Sequence, residues 1–170
     1  MTPPELLALL QDFYADVLRL MLARQANARS VVAYDANNAY QQVLGRQDVH
    51  LRWLSDAIVS LGGSVADAPS GEVPNPVAQK DQASQLLESD ARAQRDFLSR
   101  WEPRVETVTN ARHHKMLALI LGEMREHLRL FLQVVDGRTD LLGRHSDGRV
   151  LSGTVMPARP PGCNTAKPQM

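Results

Sequence analysis

Two histidines, His50 and His127, are the residues of this sequence best placed to do chemistry. Each falls in the middle of a long stretch in which apolar residues recur at helical spacing. Histidines that face each other from neighbouring helices are how helical bundles build metal sites. The pair therefore predicts either a metal site in a helical core or two core histidines that hydrogen-bond to their neighbours.

Composition excludes several classes of protein. The chain has 170 residues, which suffices for one domain with a real core, and it carries 19 basic and 19 acidic side chains. With no net charge there is no basic field to attract nucleic acid or an anionic membrane, and neither is an expected partner. Cys163 is the only cysteine, which fits a reducing cytoplasm. Asp12 and Asp16 interrupt the first apolar stretch, so we expect no signal peptide or membrane span there.

Helical periodicity predicts two helices before the first glycine pair. The first begins at the capping signature Thr2-Pro3-Pro4-Glu5, in which a hydroxyl residue precedes a glutamate by three positions. It is predicted to run to about Ala28. The second would follow a cap at Ser30 and end at Gly62-Gly63, since residues without a Cβ commonly terminate helices.

Two more helices are predicted after a segment rich in proline and glycine. Residues 64–77 have no regular pattern and are long enough to cross from one end of a bundle to the other. The third helix should start near Gln79, and Pro103 should stop or kink it, because proline lacks an N–H and clashes with the preceding turn. The fourth should start at about Val105 or Asn110. Strand signals are weak throughout, which predicts an all-α protein.

The fourth helix is predicted to end at Gly137, so that residues 3–136 form one bundle domain. Residues 137–170 are rich in proline, glycine, serine and arginine and show little periodicity. They hold too few apolar groups to offset the entropy of ordering. We predict that this tail is mostly disordered.

The chain resembles the ferritin-like superfamily of the rubrerythrin and bacterioferritin type. The stretch from His50 to Leu61-Gly62-Gly63 is similar to the family's second helix, and Asp90-x-x-Ala93-x-x-x-Phe97 is similar to its third. The resemblance covers roughly residues 3–136. It implies a ferritin-like four-helix bundle of two helical hairpins joined by a long crossover, and bundles that pair as homodimers or higher homo-oligomers.

The resemblance also implies a site, which this chain keeps only in part. Family members with a dinuclear iron site place a Glu on each of two helices and a Glu-x-x-His on each of the other two. By position, His50, His127 and Asp90 are retained as candidate metal ligands. The two bridging glutamates are replaced by Gln47 and Met124. We interpret Gln47 as a hydrogen-bond bridge and Met124 as a gap-filling core residue rather than a soft metal ligand.

The ligand from the first helix stays undecided. Tyr14 fits the expected spacing best, and Asp12 and Asp16 lie within a register shift of it. Glu123 lies one turn before the second histidine and is a further candidate, although its spacing differs from that of the family. Without metal, the two histidines would instead hydrogen-bond to neighbours such as Gln47, Asp90 or Glu123.

The first functional interpretation is a ferritin-like bundle with a degenerate site. Too few carboxylates remain to neutralise two ferric ions, so iron oxidation at a dinuclear centre is not expected. The protein would then be a non-catalytic binding or structural protein without a cofactor, with an unknown protein partner. His113 and His114 near the start of the fourth helix are expected to be solvated. Trp53 and Trp101 are expected to anchor a core or an interface.

Two alternatives remain at this point. One is a metal-dependent protein of the same fold, with iron or another divalent metal on His50, His127 and Asp90, that handles iron, detoxifies peroxide or acts as a small oxidase. The other is similarity to the damage-inducible bundle family, which holds one divalent metal with three histidines. The third histidine of that family is missing, because position 131 is Phe and position 123 is Glu.

Overall fold

Four helices make up almost all of the structure. The computed structural model describes residues 1–31, 33–65 and 82–138. The helices are α1 (Pro3–Ala28), α2 (Tyr34–Ser60), α3 (Gln82–Glu106) and α4 (Ala111–Val135). No strand occurs in these three ranges, which confirms the all-α prediction and the number of helices. The predicted disordered tail lies, apart from its first two residues, outside them.

The helices pack as two antiparallel hairpins. The pairs α1–α2 and α3–α4 pack along their lengths, and the hairpins meet where α1 contacts α3 and α2 contacts α4. Across the first of these contacts, Asp12 pairs with Arg104 and Arg24 with Gln94, so the two helices are antiparallel. The diagonal pairs, α1–α4 and α2–α3, meet only through side chains.

The directions of the helices bear on the predicted crossover. Because α1 is antiparallel to both α2 and α3, these two helices run in the same direction. The end of α2 and the start of α3 therefore lie at opposite ends of the bundle. Most of the predicted crossover, 64–77, and the predicted start of the third helix at Gln79 lie outside the described residues.

Local sequence accounts for the ends of the first hairpin. The Thr2 N–H donates to Glu5 Oε2 at 2.7 Å, as the capping signature predicts. The predicted cap at Ser30 is wrong: α2 begins at Tyr34, and the Asn37 side-chain amide closes the turn by donating to the carbonyls of Ala28 and Val31. The second helix ends before Gly62, whose φ of +79° is accessible mainly to glycine.

In the second hairpin, the stop that was one of the two outcomes predicted for Pro103 is wrong. Pro103 does not stop α3, which continues to Glu106. A proline this close to the end of a helix disturbs only its last turns. Asn110 caps α4 by accepting a hydrogen bond from the His113 N–H at 3.2 Å. Gly137, with a φ of +77°, follows the end of this helix as predicted.

Two apolar clusters fill the interior. In the larger cluster the Phe13 ring packs edge-on against Phe97 and Trp101, with centroid separations of 5.3 and 4.7 Å. In the smaller cluster Tyr40 packs against Phe131 with a centroid separation of 5.3 Å. These aromatic contacts tie α1 to α3 and α2 to α4, and so hold the two hairpins together.

On α2 and α4, several residues separate the part of the helix in one cluster from the part in the other. On α2 the buried apolar residues of the smaller cluster end at Val43, and those of the larger cluster begin at Leu51. On α4 the larger cluster ends at Met124 and the smaller one begins at Phe131. Buried polar residues occupy the interval. None of the described helices carries an apolar stretch long enough to span a bilayer.

Candidate functional site

A layer of buried polar side chains lies between the two apolar clusters. It contains Arg24 from α1, Gln47 and His50 from α2, Gln94 from α3 and His127 from α4, and each is at most 6% exposed. We call these five residues the polar layer. Burying so many polar groups is costly unless their hydrogen-bonding atoms find partners.

Arg24 brings a positive charge into this layer. Its Nη2 donates to Gln94 Oε1, and its guanidinium lies 5.1 Å from the ring centroid of Phe131. Nε and Nη1 have no hydrogen-bond partner. Burial lowers the pKa of Arg24 to about 10, and the negative charge of Asp90 opposes that shift. The side chain is therefore a cation at neutral pH.

His50 is held by a surface-facing carboxylate. Its Nε2 lies 2.7 Å from Glu123 Oε2, and Glu123 also accepts two hydrogen bonds from Arg46, one of them at 2.8 Å from Nε. Burial lowers the pKa of His50, so the ring is neutral at pH 7. Arg46 lowers the pKa of Glu123, so this side chain is a carboxylate and can only accept hydrogen bonds. The proton of the ring is therefore assigned to Nε2, and Nδ1 carries a lone pair.

His127 lies beside His50. The two ring centroids are 6.1 Å apart and the ring planes are inclined by 28°. Burial lowers the pKa of His127 to about 3, and the charge of Arg24 contributes to the shift. Like His50, this ring is neutral, and its Nδ1 has no hydrogen-bond partner.

Gln47 and Met124 occupy the two positions that precede the histidines by three residues. Both are fully buried. Neither Nε2 nor Oε1 of Gln47 has a hydrogen-bond partner, so the interpretation of this residue as a hydrogen-bond bridge is wrong. Residues three apart lie on one face of a helix, so each of these side chains is on the same face as its histidine.

Asp90 belongs to a separate group. Its Oδ2 accepts hydrogen bonds from the Tyr40 hydroxyl at 2.6 Å and from Asn27 Nδ2 at 2.9 Å. Burial and the adjacent carboxylate both raise the pKa of Tyr40, which keeps the hydroxyl protonated and able to donate. The α3 residue of the polar layer is instead Gln94, one turn further along the helix.

The aspartates predicted on the first helix also lie elsewhere. Asp12 Oδ2 pairs with Arg104 Nη2 at 3.0 Å near the surface. Asp16 accepts a hydrogen bond from Trp101 Nε1 at 3.0 Å and forms an ion pair with Arg100. Both pairs tie α1 to α3, well before α1 reaches the polar layer.

Tyr14, which fits the family spacing best, is half-buried and lines a surface cavity beside Leu18 and Arg52. The α1 residue that reaches the polar layer is Arg24.

Sequence reasoning missed two members of the polar layer. Arg24 continues the helical spacing of the apolar residues Phe13, Val17 and Leu20 on the first helix, and a basic residue on that stripe was the available signal. For the third helix, the predicted pattern placed Ala93 on the buried face, whereas the next residue, Gln94, is the one in the polar layer. The sequence Asp90, Gln94, Phe97 also follows helical spacing and identifies the buried face correctly.

The predicted solvation of His113 is wrong. The side chain is buried at 7% exposure, and its Nδ1 lies 2.9 Å from Asn110 Oδ1. As the third residue of α4, it faces α2 and lines a surface cavity of about 400 Å³ with Trp53 and Met116. Trp101, in contrast, is fully buried and anchors the core as predicted.

The charges decide which metal the site would fit. There are two pairs that each combine one cation with one carboxylate: Arg24 with Asp90, and Arg46 with Glu123. Both carboxylates already accept hydrogen bonds. Among the residues that the structure describes, no three His, Cys, Asp or Glu side chains are arranged to hold a metal ion. These side chains do not fit a dinuclear ferric centre, which needs about four carboxylates.

Comparison with known proteins gives no family assignment: no protein-family model matches the chain, and neither does any curated protein sequence.

Proposed function

We propose that this protein is a ferritin-like bundle whose dinuclear carboxylate site has degenerated, and that it acts as a non-catalytic binding or structural protein. The observation that carries the proposal is the buried cation of Arg24 in the same layer as His50 and His127. A guanidinium there opposes the binding of further positive charge.

The directions of the helices support the ferritin-like part of the proposal. Two antiparallel hairpins whose second and third helices run in the same direction require one long crossover connection. Ferritin-like bundles are built in this way, with metal ligands that project inward from all four helices. The polar layer also draws one or two residues from every helix.

The residue types in the layer support the degenerate part. The layer and the position three residues before His127 provide Arg24, Gln47, Gln94 and Met124, one from each helix, where a working site would have four carboxylates. All four are buried and none is acidic. Two ferric ions placed among them would lack compensating charge and would lie next to a cation.

Iron binding by a restored site tests this registration. We expect the variant Arg24→Glu/Gln47→Glu/Gln94→Glu/Met124→Glu to bind about two irons per chain after aerobic loading, measured by elemental analysis. The wild-type chain should bind none in stoichiometric amount. If four buried glutamates unfold the metal-free variant, iron should restore its helical circular dichroism, because ligand binding stabilises the folded state.

Two controls complete the experiment. The triple variant that keeps Arg24 should bind less iron than the quadruple variant, since the cation remains. Adding His50→Ala/His127→Ala to the quadruple variant should abolish binding. Two irons on the wild-type chain, lost with the histidines, would refute the degenerate site, and no iron on the quadruple variant would refute the ferritin-like registration.

A second candidate is a protein that binds one divalent metal at the histidine pair. The observation that favours it is the hydrogen bond from His50 Nε2 to Glu123, because metal-ligating histidines commonly donate their other N–H to a carboxylate. Iron handling, peroxide detoxification or a small oxidase activity would follow from it. One Fe(II), Mn(II) or Zn(II) per chain, lost in His50→Ala/His127→Ala, would establish this candidate in place of the first.

A further inference from the structure

We propose that the histidine pair and Met124 form a site for one soft monovalent metal ion, of which Cu(I) is the biological example. The inference rests on the proposed loss of the dinuclear carboxylate site and names the ligand that the remaining side chains would bind. Its ligands would be Nδ1 of His50, Nδ1 of His127 and the thioether sulfur of Met124.

A hydrogen bond orients His50 as a ligand, and both imidazoles have an unpartnered Nδ1. The hydrogen bond between His50 Nε2 and Glu123 places the proton on that nitrogen and leaves a lone pair on Nδ1. Neither that atom nor Nδ1 of His127 has a hydrogen-bond partner, although both are buried. Buried ring nitrogens without a hydrogen-bond partner are uncommon in folded proteins, and an ion bound to both Nδ1 atoms, with the proton of His127 on Nε2, would satisfy them.

The spacing of the rings fits a shared ion. The centroids of His50 and His127 are 6.1 Å apart. Two imidazoles that bind one ion at about 2 Å from each nitrogen have centroids about 6 Å apart when they lie on nearly opposite sides of it. The separation of the two centroids is thus compatible with one shared two-coordinate or three-coordinate ion.

Met124, which the sequence alone indicated to be a core residue rather than a ligand, adds a soft ligand on the same side of α4 as His127. It is fully buried and precedes the histidine by three residues. Thioether sulfur prefers Cu(I), whereas iron(III), magnesium and calcium prefer carboxylate and other oxygen ligands. The residue types thus select against the hard metal ions of the dinuclear family.

Charge also favours a monovalent ion. All three proposed ligands are neutral, as is the unpartnered amide of Gln47. The charges that act on His127 are the cations Arg24 and Arg46 and the carboxylate of Glu123, so the surroundings offer no net negative charge for a divalent or trivalent ion. A single positive charge costs the least here. Solvent can reach the neighbourhood through Glu123, whose side chain is 25% exposed.

An anaerobic Cu(I) titration against a chromogenic chelator tests the site, with Ag(I) as a redox-inert probe. All proteins should carry Cys163→Ser, because a thiol would compete for Cu(I). We expect one ion per chain, and a loss of affinity of about tenfold or more in Met124→Leu, which conserves volume. Met116→Leu is the matched control, since Met116 is a partly buried methionine on the same helix, and this variant should bind as the parent does. His50→Ala/His127→Ala should not bind.

The outcomes separate this inference from the proposed function. X-ray absorption of the Cu(I) form should show two nitrogen ligands and one sulfur ligand. No binding by the parent chain, or equal binding by the double histidine variant, would overturn the inference, and equal affinity in both methionine variants would overturn the assignment of Met124. Iron uptake by the quadruple glutamate variant with no Cu(I) bound by the parent would overturn this inference alone.

Discussion

Asp90 illustrates how individual residues of this core are satisfied. It is a buried carboxylate whose two hydrogen bonds come from neutral donors, Tyr40 and Asn27. Arg24 and Asp90 attract each other electrostatically. Among the described residues, no direct hydrogen bond joins these two side chains. A buried carboxylate in this setting depends strongly on each donor.

Removing the Tyr40 hydroxyl should therefore destabilise the fold. We expect Tyr40→Phe to lower the free energy of unfolding by about 1–3 kcal/mol, because one hydrogen bond to a buried charged acceptor is lost. Urea denaturation measures the change. Tyr14→Phe is the matched control on a half-buried tyrosine and should change stability by less than about 0.5 kcal/mol. Equal effects of the two substitutions would contradict the role of Asp90.

Residue types alone predicted part of the site. His50, His127 and Glu123 were identifiable because ionisable side chains on or beside an apolar stripe are unusual, and the structure brings these three together. Arg24 was not identified as a site residue in spite of its place on the apolar stripe, because a long basic side chain there ordinarily extends to solvent. Its burial depends on Gln94 and Asp90 from the other hairpin, and this contact cannot be derived from either segment alone.

At the scale of elements, helix interiors were easier to predict than helix ends. The apolar stripes of α2 and α4 match the buried residues closely, since periodicity over many turns averages out local exceptions. The start of α2 was misplaced because Ser30 is a good cap by type, whereas the turn is closed by Asn37 from inside the helix. Such a choice depends on the fold of the loop rather than on residue preference.

Two glycines of the α2 region should respond oppositely to alanine. Gly45 lies within the helix, and a Cβ there would meet nothing within 4 Å. We expect Gly45→Ala to raise the free energy of unfolding by about 0.5–1 kcal/mol. Gly62 has a positive φ, so Gly62→Ala should lower it by about 1 kcal/mol. Thermal denaturation of both variants measures the difference, and changes of the same sign would show that one of these backbone conformations is misassigned.

The whole molecule should lose stability in mild acid. In the unfolded chain histidine titrates near 6.5, whereas burial lowers the pKa of His127 to about 3 in the fold. Below pH 6.5 the unfolded chain binds the extra proton, so the contribution of this residue is complete above that pH and decreases as the pH falls towards 3. His50 contributes in the same direction.

Urea denaturation of the metal-free protein between pH 7 and 4 tests this expectation. Below pH 6.5 His127 alone should reduce the free energy of unfolding by about 1.4 kcal/mol per pH unit. The His127→Gln variant lacks this titration and should show a shallower dependence. Parallel curves for the two proteins would mean that His127 is protonated, or solvated, in the folded chain.

The arrangement of the hairpins was partly predictable. A proline-rich and glycine-rich segment between two helical pairs indicated that the chain does not turn back immediately after α2, and the parallel directions of α2 and α3 agree with this. Which polar residues share a layer was not predictable, because it depends on how far one hairpin is displaced along the other. A shift of one turn leaves every apolar stripe intact.

Because apolar stripes alone would allow one hairpin to slide along the other, the polar layer determines which alignment of the hairpins is the native one. Apolar side chains tolerate sliding, whereas the polar layer is divided between the hairpins, with three of its residues on the first and two on the second. Displacing α3 by one turn would place Leu98 opposite Arg24 and leave a buried guanidinium without its acceptor, at a cost of about 3 kcal/mol or more. Displacement the other way would draw Asp90 from Tyr40. The buried polar residues, which contribute little hydrophobic stabilisation, thus disfavour alignments of the hairpins that differ by one helical turn.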